Sequence, residues 1–358
     1  CGKLFSTLFG MDYVTAMLIS AAVIVIYTVM GGFLAASFTD LIQSIIMTVA
    51  LVVVLGFGVT QAGGIDAVME NARSLTDYLS LLRIHDPATG GSNPYSLLTI
   101  CSLLAWGLGY FGMPHILVRF MAIEDEHKLK LSRRVASSWV VISMGVAIFI
   151  GLVGSAMTRA GALEQLADSE TIIVRIATLI SQFGALPALL AGVILAGMLA
   201  GTMSTADSQL VAASSSISQD LGNDFLKRNF SGRRGMAVAR AVMIAIAIIA
   251  AFLARDPNSS VFRVVSFAWA GFGAAFGPVM LMALFWKRSN KWGALAGMIT
   301  GGVMVFVWKF LIAPLGGAWA IYELLPAFLC ALAAIVVVSL LTPAPEPSVQ
   351  ELFEDVRA

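Results

Sequence analysis

The chain has 358 residues, of which 59% are hydrophobic and only 12% are charged, and its mean hydropathy is +0.89. Soluble domains carry about 25% charged residues, so this composition excludes a soluble globule. The near balance of 22 basic and 21 acidic residues also excludes the basic surplus of a nucleic-acid-binding protein. Three cysteines cannot form a disulfide framework. The composition predicts an all-α polytopic membrane protein, because lipid offers no partners to the backbone of an isolated strand.

Apolar segments that alternate with charge clusters predict about nine membrane-spanning helices. Each segment is long enough to cross a hydrocarbon core of ~30 Å at ~1.5 Å per residue. Only Asp40 separates residues 14–39 from residues 41–65, so the first turn is expected at Asp40, and one long helix is the alternative. The other spans are expected at 96–119, 135–158, 185–215, 236–254, 261–286, 293–312 and 320–341.

The basic residues predict the orientation of these spans. If the Asp40 turn is cytoplasmic, most Lys and Arg residues fall in segments on that side, including 120–134, 220–240 and 287–291. The positive-inside rule then predicts a cytoplasmic C-terminus. Residues 1–341 are therefore assigned to a transmembrane domain and 342–358 to a solvated cytoplasmic tail. On the outer side, residues 164–183 are expected to form a short amphipathic helix.

The start of the chain has the pattern of an interrupted helix. The first residue is Cys1 rather than methionine, and residues 1–10 resemble the end of an earlier helix. We therefore expect the sequence to be the C-terminal part of a longer protein.

The third span contains a segment that weakens a helix. Gly107, Gly109, Gly112 and Pro114 lie within eight residues, and in a helix Gly costs ~1 and Pro ~3 kcal/mol relative to Ala. At membrane depth, such a break is tolerated where it is buried in protein or lines a cavity, and broken helices of this kind form substrate sites in transporters. The alternative is a proline kink with small residues for close helix packing.

The fifth span contains a cluster of oxygen-bearing side chains. Ser204 and Thr205 are adjacent, Ser208 follows one turn later, and Asp207 is an ionisable residue in an apolar stretch. Hard cations prefer oxygen ligands, and an intramembrane carboxylate is a functional candidate. The alternative is that the hydroxyls bond to their own helix.

Other parts of the sequence favour packing or argue against enzymatic chemistry. The small residues of 266–278 predict a close helix crossing. His85, His115 and His127 have no metal-ligand spacing, and no phosphate-binding glycine loop precedes a lysine. No Ser-His-Asp or Cys-His arrangement is evident. An intramembrane enzyme or an ATPase is therefore not expected.

Four segments resemble the sodium:solute symporter family, and the resemblance runs along nearly the whole chain. The first segment, GGFLAASFTDLIQ at residues 31–43, is specific for the family. The other three segments are WGLGYFGMPHILVRF at residues 106–120, Met203–Thr205 with Ser208–Leu210, and SFAWAGFGAAFGP at residues 266–278. Of these, the segments at 106–120 and 266–278 point to proline as the solute within the family.

The resemblance implies a LeuT-like fold of two inverted helical repeats. The first two spans would end the first repeat, spans three to seven would form the second, and the last two would be peripheral. The earlier helices, which would donate further sodium ligands, are absent from this sequence, so the fold is expected to be N-terminally truncated. By the same resemblance, the sodium ligands are the backbone oxygen of Gly201 and the hydroxyls of Ser204 and Thr205.

The resemblance also implies a substrate site at Trp106, Tyr110 and Pro114. Asp40 matches a family carboxylate linked to cation handling, and with Asp207 and Ser208 it forms a candidate cation path. Since Trp106 and Tyr110 are four residues apart, they would share one face of a helical turn.

The expected function is sodium-coupled uptake of L-proline across the cytoplasmic membrane. Na⁺ would be the coupling ion, with no organic cofactor, and the partners would be proline, sodium and the bilayer, with no nucleic acid. Two alternatives remain. One is symport of another amino acid or a carboxylate, and the other is the membrane sensor module of a signalling protein, although no kinase domain follows Thr342.

Overall fold

The computed structural model describes residues 1–225, 227, 232–256 and 260–355, which are helical apart from turns and one short hairpin. Eight helices in these ranges are long and apolar enough to cross a membrane. The bent pair Leu97–Gly112 and Pro114–Met121 brings the number to nine when it counts as one span. The predicted all-α polytopic architecture is therefore confirmed.

The helices and strands are numbered in chain order. Short 3₁₀ segments occur between some of the helices, and π-helical turns occupy Ser216–Phe225 and Trp308–Ile312. The helices are α1 (Gly2–Phe9), α2 (Tyr13–Gln61), α3 (Ile65–Ser74), α4 (Leu97–Gly109), α5 (Pro114–Met121), α6 (Leu129–Arg159), α7 (Ile172–Ser181), α8 (Ala185–Ser215), α9 (Gly232–Leu253), α10 (Val261–Phe285), α11 (Lys291–Val307), α12 (Leu324–Leu341) and α13 (Pro347–Asp355), and the hairpin strands are β1 (Arg83–His85) and β2 (Ser92–Pro94).

The break between the first two spans lies at Gly32, so its predicted position at Asp40 was wrong. Gly32 has φ 65° and ψ −167°, a conformation that glycine adopts because it has no Cβ. The two spans run over Tyr13–Leu34 and Ala36–Gln61. Asp40 consequently lies inside the second helical half of α2 and not in a turn.

The chain forms two compact units. The first contains Cys1–Leu81, His85–Ser92 and Ala122–Asn258, and the second contains Leu82–Ile84, Asn93–Met121 and Ser259–Ala358. Each has a hydrophobic core of its own.

In the first unit, α8 packs closely along the second half of α2. A Cβ added at Gly197 would lie 2.8 Å from the Cβ of Ala50, and one added at Gly201 would lie 2.7 Å from the Sδ of Met47. Small residues at this spacing let helix backbones approach in a membrane. The contact fixes the hydroxyl-bearing part of α8 against the part of α2 that carries Asp40.

The amphipathic helix predicted at 164–183 is present but shorter, because α7 spans Ile172–Ser181 and a 3₁₀ turn at Ser169–Thr171 precedes it. Its buried face includes Ile176, Ala177 and Ile180, which join the core of the first unit. The preceding turn contacts α1, where the Nζ of Lys3 lies 3.1 Å from Asp168 Oδ2 and 2.6 Å from Glu170 Oε2.

In the second unit, α10, α11 and α12 pack through glycines. A Cβ at Gly301 would lie 2.1 Å from the backbone oxygen of Ala274, and one at Gly297 would lie 2.3 Å from Ile335. After Thr342, the predicted solvated tail contains the helix α13, in which Glu354 forms an ion pair with Lys287.

Candidate functional site

The third span is broken where the glycines and the proline predict a break. Helix α4 ends at Gly109, a 3₁₀ turn covers Tyr110–Gly112, and Met113 is extended with φ −80° and ψ 108°. Helix α5 then begins at Pro114, and the two segments are bent by 44°. Proline at a first helical position fits because it has no N–H to place in the preceding turn.

The same glycines also allow a close crossing with α10, as the packing alternative predicted. A Cβ on Gly109 would lie 1.9 Å from the Nε1 of Trp269, and one on Gly112 would lie 2.4 Å from the backbone oxygen of Phe272. From the other helix, a Cβ on Gly273 would lie 2.7 Å from the Cα of Gly109. The close crossing predicted for residues 266–278 is therefore confirmed, and the broken helix is held against it.

An aromatic cluster lies at the break. The ring of Trp106 stacks on Trp269 at 5.3 Å and on Phe262 at 5.5 Å, and Tyr110 meets Trp269 edge-on at 4.8 Å. The Nε1 of Trp269 donates a hydrogen bond to the backbone oxygen of Trp106 at 2.9 Å. The structure thus brings Trp106 and Tyr110 to one cluster, and Pro114 begins the helix on the other side of the break.

Sequence reasoning missed Trp269 and Phe262 as members of this cluster. Both lie in α10. Phe262 precedes the stretch 266–278, which was considered for helix packing and for the family resemblance but not as part of an aromatic cluster. The signal was present, since Trp269 stands among small residues, and an aromatic side chain in such a crossing projects past the small ones toward the neighbouring helix.

The three predicted sodium ligands converge on one turn of α8. The backbone oxygen of Gly201 accepts hydrogen bonds from Ser204 Oγ at 3.1 Å and from Thr205 Oγ1 at 3.2 Å. The hydroxyls therefore bond to their own helix, as the alternative predicted. The arrangement also groups three neutral oxygens, the donor type that a hard monovalent cation prefers. Each hydroxyl can rotate its hydrogen away and present a lone pair instead.

The candidate cation-path residues Asp40, Asp207 and Ser208 lie together between α2 and α8. Asp207 is fully buried, and Ser208 Oγ lies 3.3 Å from Asp207 Oδ1 and 3.5 Å from Asp40 Oδ2. The Oη of Tyr27 donates a hydrogen bond of 2.7 Å to Asp207 Oδ2. Sequence reasoning missed Tyr27, whose signal was a phenol in a largely apolar span.

A further polar atom lies beside these residues in sequence. The Oε1 of Gln43 is buried and has no hydrogen-bond partner within the described ranges. Buried polar atoms without partners are rare in native structures. Asp40 and Gln43 therefore place polar groups on α2 that simple packing does not require, while Leu41 and Ile42 between them are exposed.

The fold is that of the LeuT-like helical membrane proteins. A solved structure, the substrate-bound outward-open state of a Na⁺-coupled sialic acid symporter, matches it with a TM-score of 0.71 at 18% identity. The match covers 96% of this chain and 70% of that chain. The model of the sodium:solute symporter family matches residues 1–301, and the chain belongs to this family.

Several bacterial relatives are similar along nearly the whole chain. The high-affinity proline transporter PutP of Bacillus subtilis (strain 168) is 40% identical over 355 residues, which cover 99% of this chain and 71% of the relative. The osmoregulated proline transporter OpuE of the same organism is 38% identical, with coverage of 98% and 68%. The sodium/proline symporter of Salmonella typhimurium is also 38% identical, with coverage of 98% and 67%.

Proposed function

We propose that this chain catalyses sodium-coupled symport of L-proline into the cell across the cytoplasmic membrane. It is a secondary active transporter, with Na⁺ as the coupling ion. One observation carries the proposal: relatives named as proline transporters match 98–99% of the chain at 38–40% identity. The eight or nine apolar spans among the described residues support a multi-pass membrane location, and the basic residues favour a cytoplasmic C-terminus.

Sodium binds at the turn formed by Gly201, Ser204 and Thr205. The two hydroxyl oxygens there each lie within hydrogen-bond distance of the carbonyl oxygen of Gly201. Neutral oxygens suit a monovalent cation, because they replace part of its hydration shell and hold the ion less tightly than a ligand with a full negative charge would.

Proline binds at the aromatic cluster of Trp106 and Tyr110, next to the start of α5 at Pro114. The apolar ring of proline fits an aromatic surface. Its carboxylate is stabilised by backbone N–H groups at a helix N-terminus, where the helix dipole favours negative charge. The broken span provides both the aromatic surface and such a helix start.

Sodium and proline raise each other's affinity, since coupling between two binding equilibria is reciprocal. The membrane potential contributes ~2.3 kcal/mol per charge per 100 mV and favours inward sodium movement. Asp40, Asp207 and Ser208 form a path through which the cation leaves its site.

Uptake of radiolabelled proline by the gene product, in cells that lack other proline carriers, tests this function. We expect uptake that requires an inward sodium gradient, fails when potassium replaces sodium, and is competed by excess unlabelled proline. Uptake that ignores sodium would refute the coupling. Stronger competition by another amino acid than by proline would refute the assignment of proline as the substrate.

A further inference from the structure

A crevice runs between the first half of α2 and helix α9, within the first compact unit. One cavity of about 490 Å³ is lined by Thr28–Phe33 of α2, by Gly235–Met243 of α9 and by polar residues near the end of α8. A second cavity of about 460 Å³ is lined by Val14–Val25 and Ile244–Arg255. The two cavities are adjacent on both helices, because Ile244 directly follows Met243 and Thr28 lies within one turn of Val25.

The two cavities differ in chemistry. The second is apolar except at its mouth, where the guanidinium of Arg255 lies 4.3 Å from the ring of Phe252. The first contains the buried polar residues Ser214 and Ser218 together with Arg240. No acidic side chain is among the described residues that line this first cavity.

The guanidinium of Arg240 is available to a ligand. Its Nε donates a hydrogen bond of 3.2 Å to the backbone oxygen of Val29, and in the described part of the chain its terminal nitrogens have no partner. The side chain is exposed to the cavity. Ser215 and Gln219 add a hydroxyl and an amide to the same lining, and both groups can donate to phosphate oxygens.

The ends of the crevice are joined by hydrogen bonds. At one end the Oη of Tyr13 donates to the backbone oxygen of Ala254 at 2.9 Å, and at the other Arg240 contacts Val29. Arg240 and Arg255 are 15 residues apart, about 22 Å along a helix. This length exceeds one leaflet of a hydrocarbon core of ~30 Å, so the apolar part of the crevice accommodates an acyl chain.

We propose that this crevice binds one anionic phospholipid. Its phosphate is held by the terminal nitrogens of Arg240, with Ser215 and Gln219 as further donors, and one acyl chain lies along the apolar cavity. The assignment rests on charge complementarity, because an arginine fork matches a phosphate in geometry as well as charge. Basic pockets between membrane helices are typical sites for such headgroups.

Lipid retention by the purified gene product tests the proposal. The protein is reconstituted in nanodiscs of phosphatidylcholine containing a minor fraction of phosphatidylglycerol, and the lipid that stays bound after detergent extraction is counted by native mass spectrometry. We expect one retained phosphatidylglycerol, and about five-fold weaker retention in Arg240→Gln, as expected for the loss of one basic contact to an anionic lipid. Free inorganic phosphate should not displace the lipid.

Two matched variants separate lipid binding from the structural contact that Arg240 makes. Arg240→Lys keeps the positive charge but loses the planar fork, so it should retain more lipid than Arg240→Gln and less than the unmodified protein. Tyr13→Phe removes the hydrogen bond at the other end of the crevice and should retain as much as the unmodified protein. The proposal is overturned if Arg240→Gln retains phosphatidylglycerol normally, or if Tyr13→Phe loses it equally. Because the readout requires no transport, its failure leaves the proline symport proposal untouched.

Discussion

The hydroxyls of Ser204 and Thr205 already have a partner in the backbone oxygen of Gly201. A cation bound at this turn therefore competes with two hydrogen bonds, each with a net contribution of ~1 kcal/mol. Such a site is expected to bind sodium weakly enough to release it, as transport requires.

The double substitution Ser204→Ala with Thr205→Ala should raise the sodium concentration for half-maximal proline uptake by about tenfold or more, equivalent to ~1.4 kcal/mol of lost cation binding. Maximal uptake at saturating sodium should change less. The measurement is initial uptake against sodium concentration. Thr202→Ala is the control, because its hydroxyl lies on the same helix but bonds to Met198; an equal effect there would contradict the assignment.

The buried carboxylate of Asp207 gives a second prediction at the same scale. Asp207→Asn preserves the size of the side chain and an acceptor for Tyr27, but it removes a negative charge that is fully buried. We expect a several-fold increase in the sodium concentration needed for uptake, since an opposite charge no longer favours the cation. Asp220→Asn, on the exposed π-helical continuation of α8, is the control. An unchanged sodium dependence in Asp207→Asn would remove this residue from the cation path.

At the scale of elements, the broken span and α10 form one packing unit. Gly109 and Gly112 have neighbours inside the space that a Cβ would need, whereas Gly107 has none within 4 Å. The break therefore depends on a close crossing as well as on local helix propensity. The aromatic rings of Trp106 and Trp269 stack across this crossing.

Gly109→Ala should destabilise the protein by about 1–3 kcal/mol, because overpacking forces side chains or backbone to shift. It should also weaken proline binding, since the displaced ring is that of Trp269. Thermal unfolding in detergent and equilibrium binding of labelled proline measure the two effects. Gly107→Ala adds the same methyl group to the same helix without a clash and should behave as the unmodified protein. Similar losses in both variants would indicate a general helix effect instead.

At the scale of the whole molecule, symport of a cation with a zwitterionic amino acid moves net charge. With one sodium ion per proline, an inside-negative potential should raise equilibrium accumulation by about 50-fold per 100 mV. Proteoliposomes with an imposed potassium diffusion potential measure this directly. The control is the same vesicles at zero potential with an equal sodium gradient, and accumulation that ignores the potential would contradict electrogenic coupling.

Much of the architecture was predicted from the sequence because the bilayer imposes its requirement on each membrane-spanning segment separately. A helix must be continuously apolar over about 20 residues to cross lipid, and this requirement is visible in any window of the chain. Most of the spans in the described ranges, the break before Pro114 and the presence of the helix α7 were therefore predicted from composition, glycine and proline alone. The family resemblance followed from short motifs of neighbouring residues, which can be recognised without knowledge of the tertiary structure.

Contacts between distant residues were decided only by the tertiary structure. Tyr27 and Asp207 are 180 residues apart, and Trp106 and Trp269 are 163 apart, so no local pattern pairs them. The break between the first two spans was predicted at Asp40 and lies at Gly32. A charged residue such as Asp40 can stay within a helix, whereas a glycine can adopt the positive φ that the bend in the backbone requires. Hydropathy determines which segments enter the membrane, and side-chain packing between them determines which residues meet.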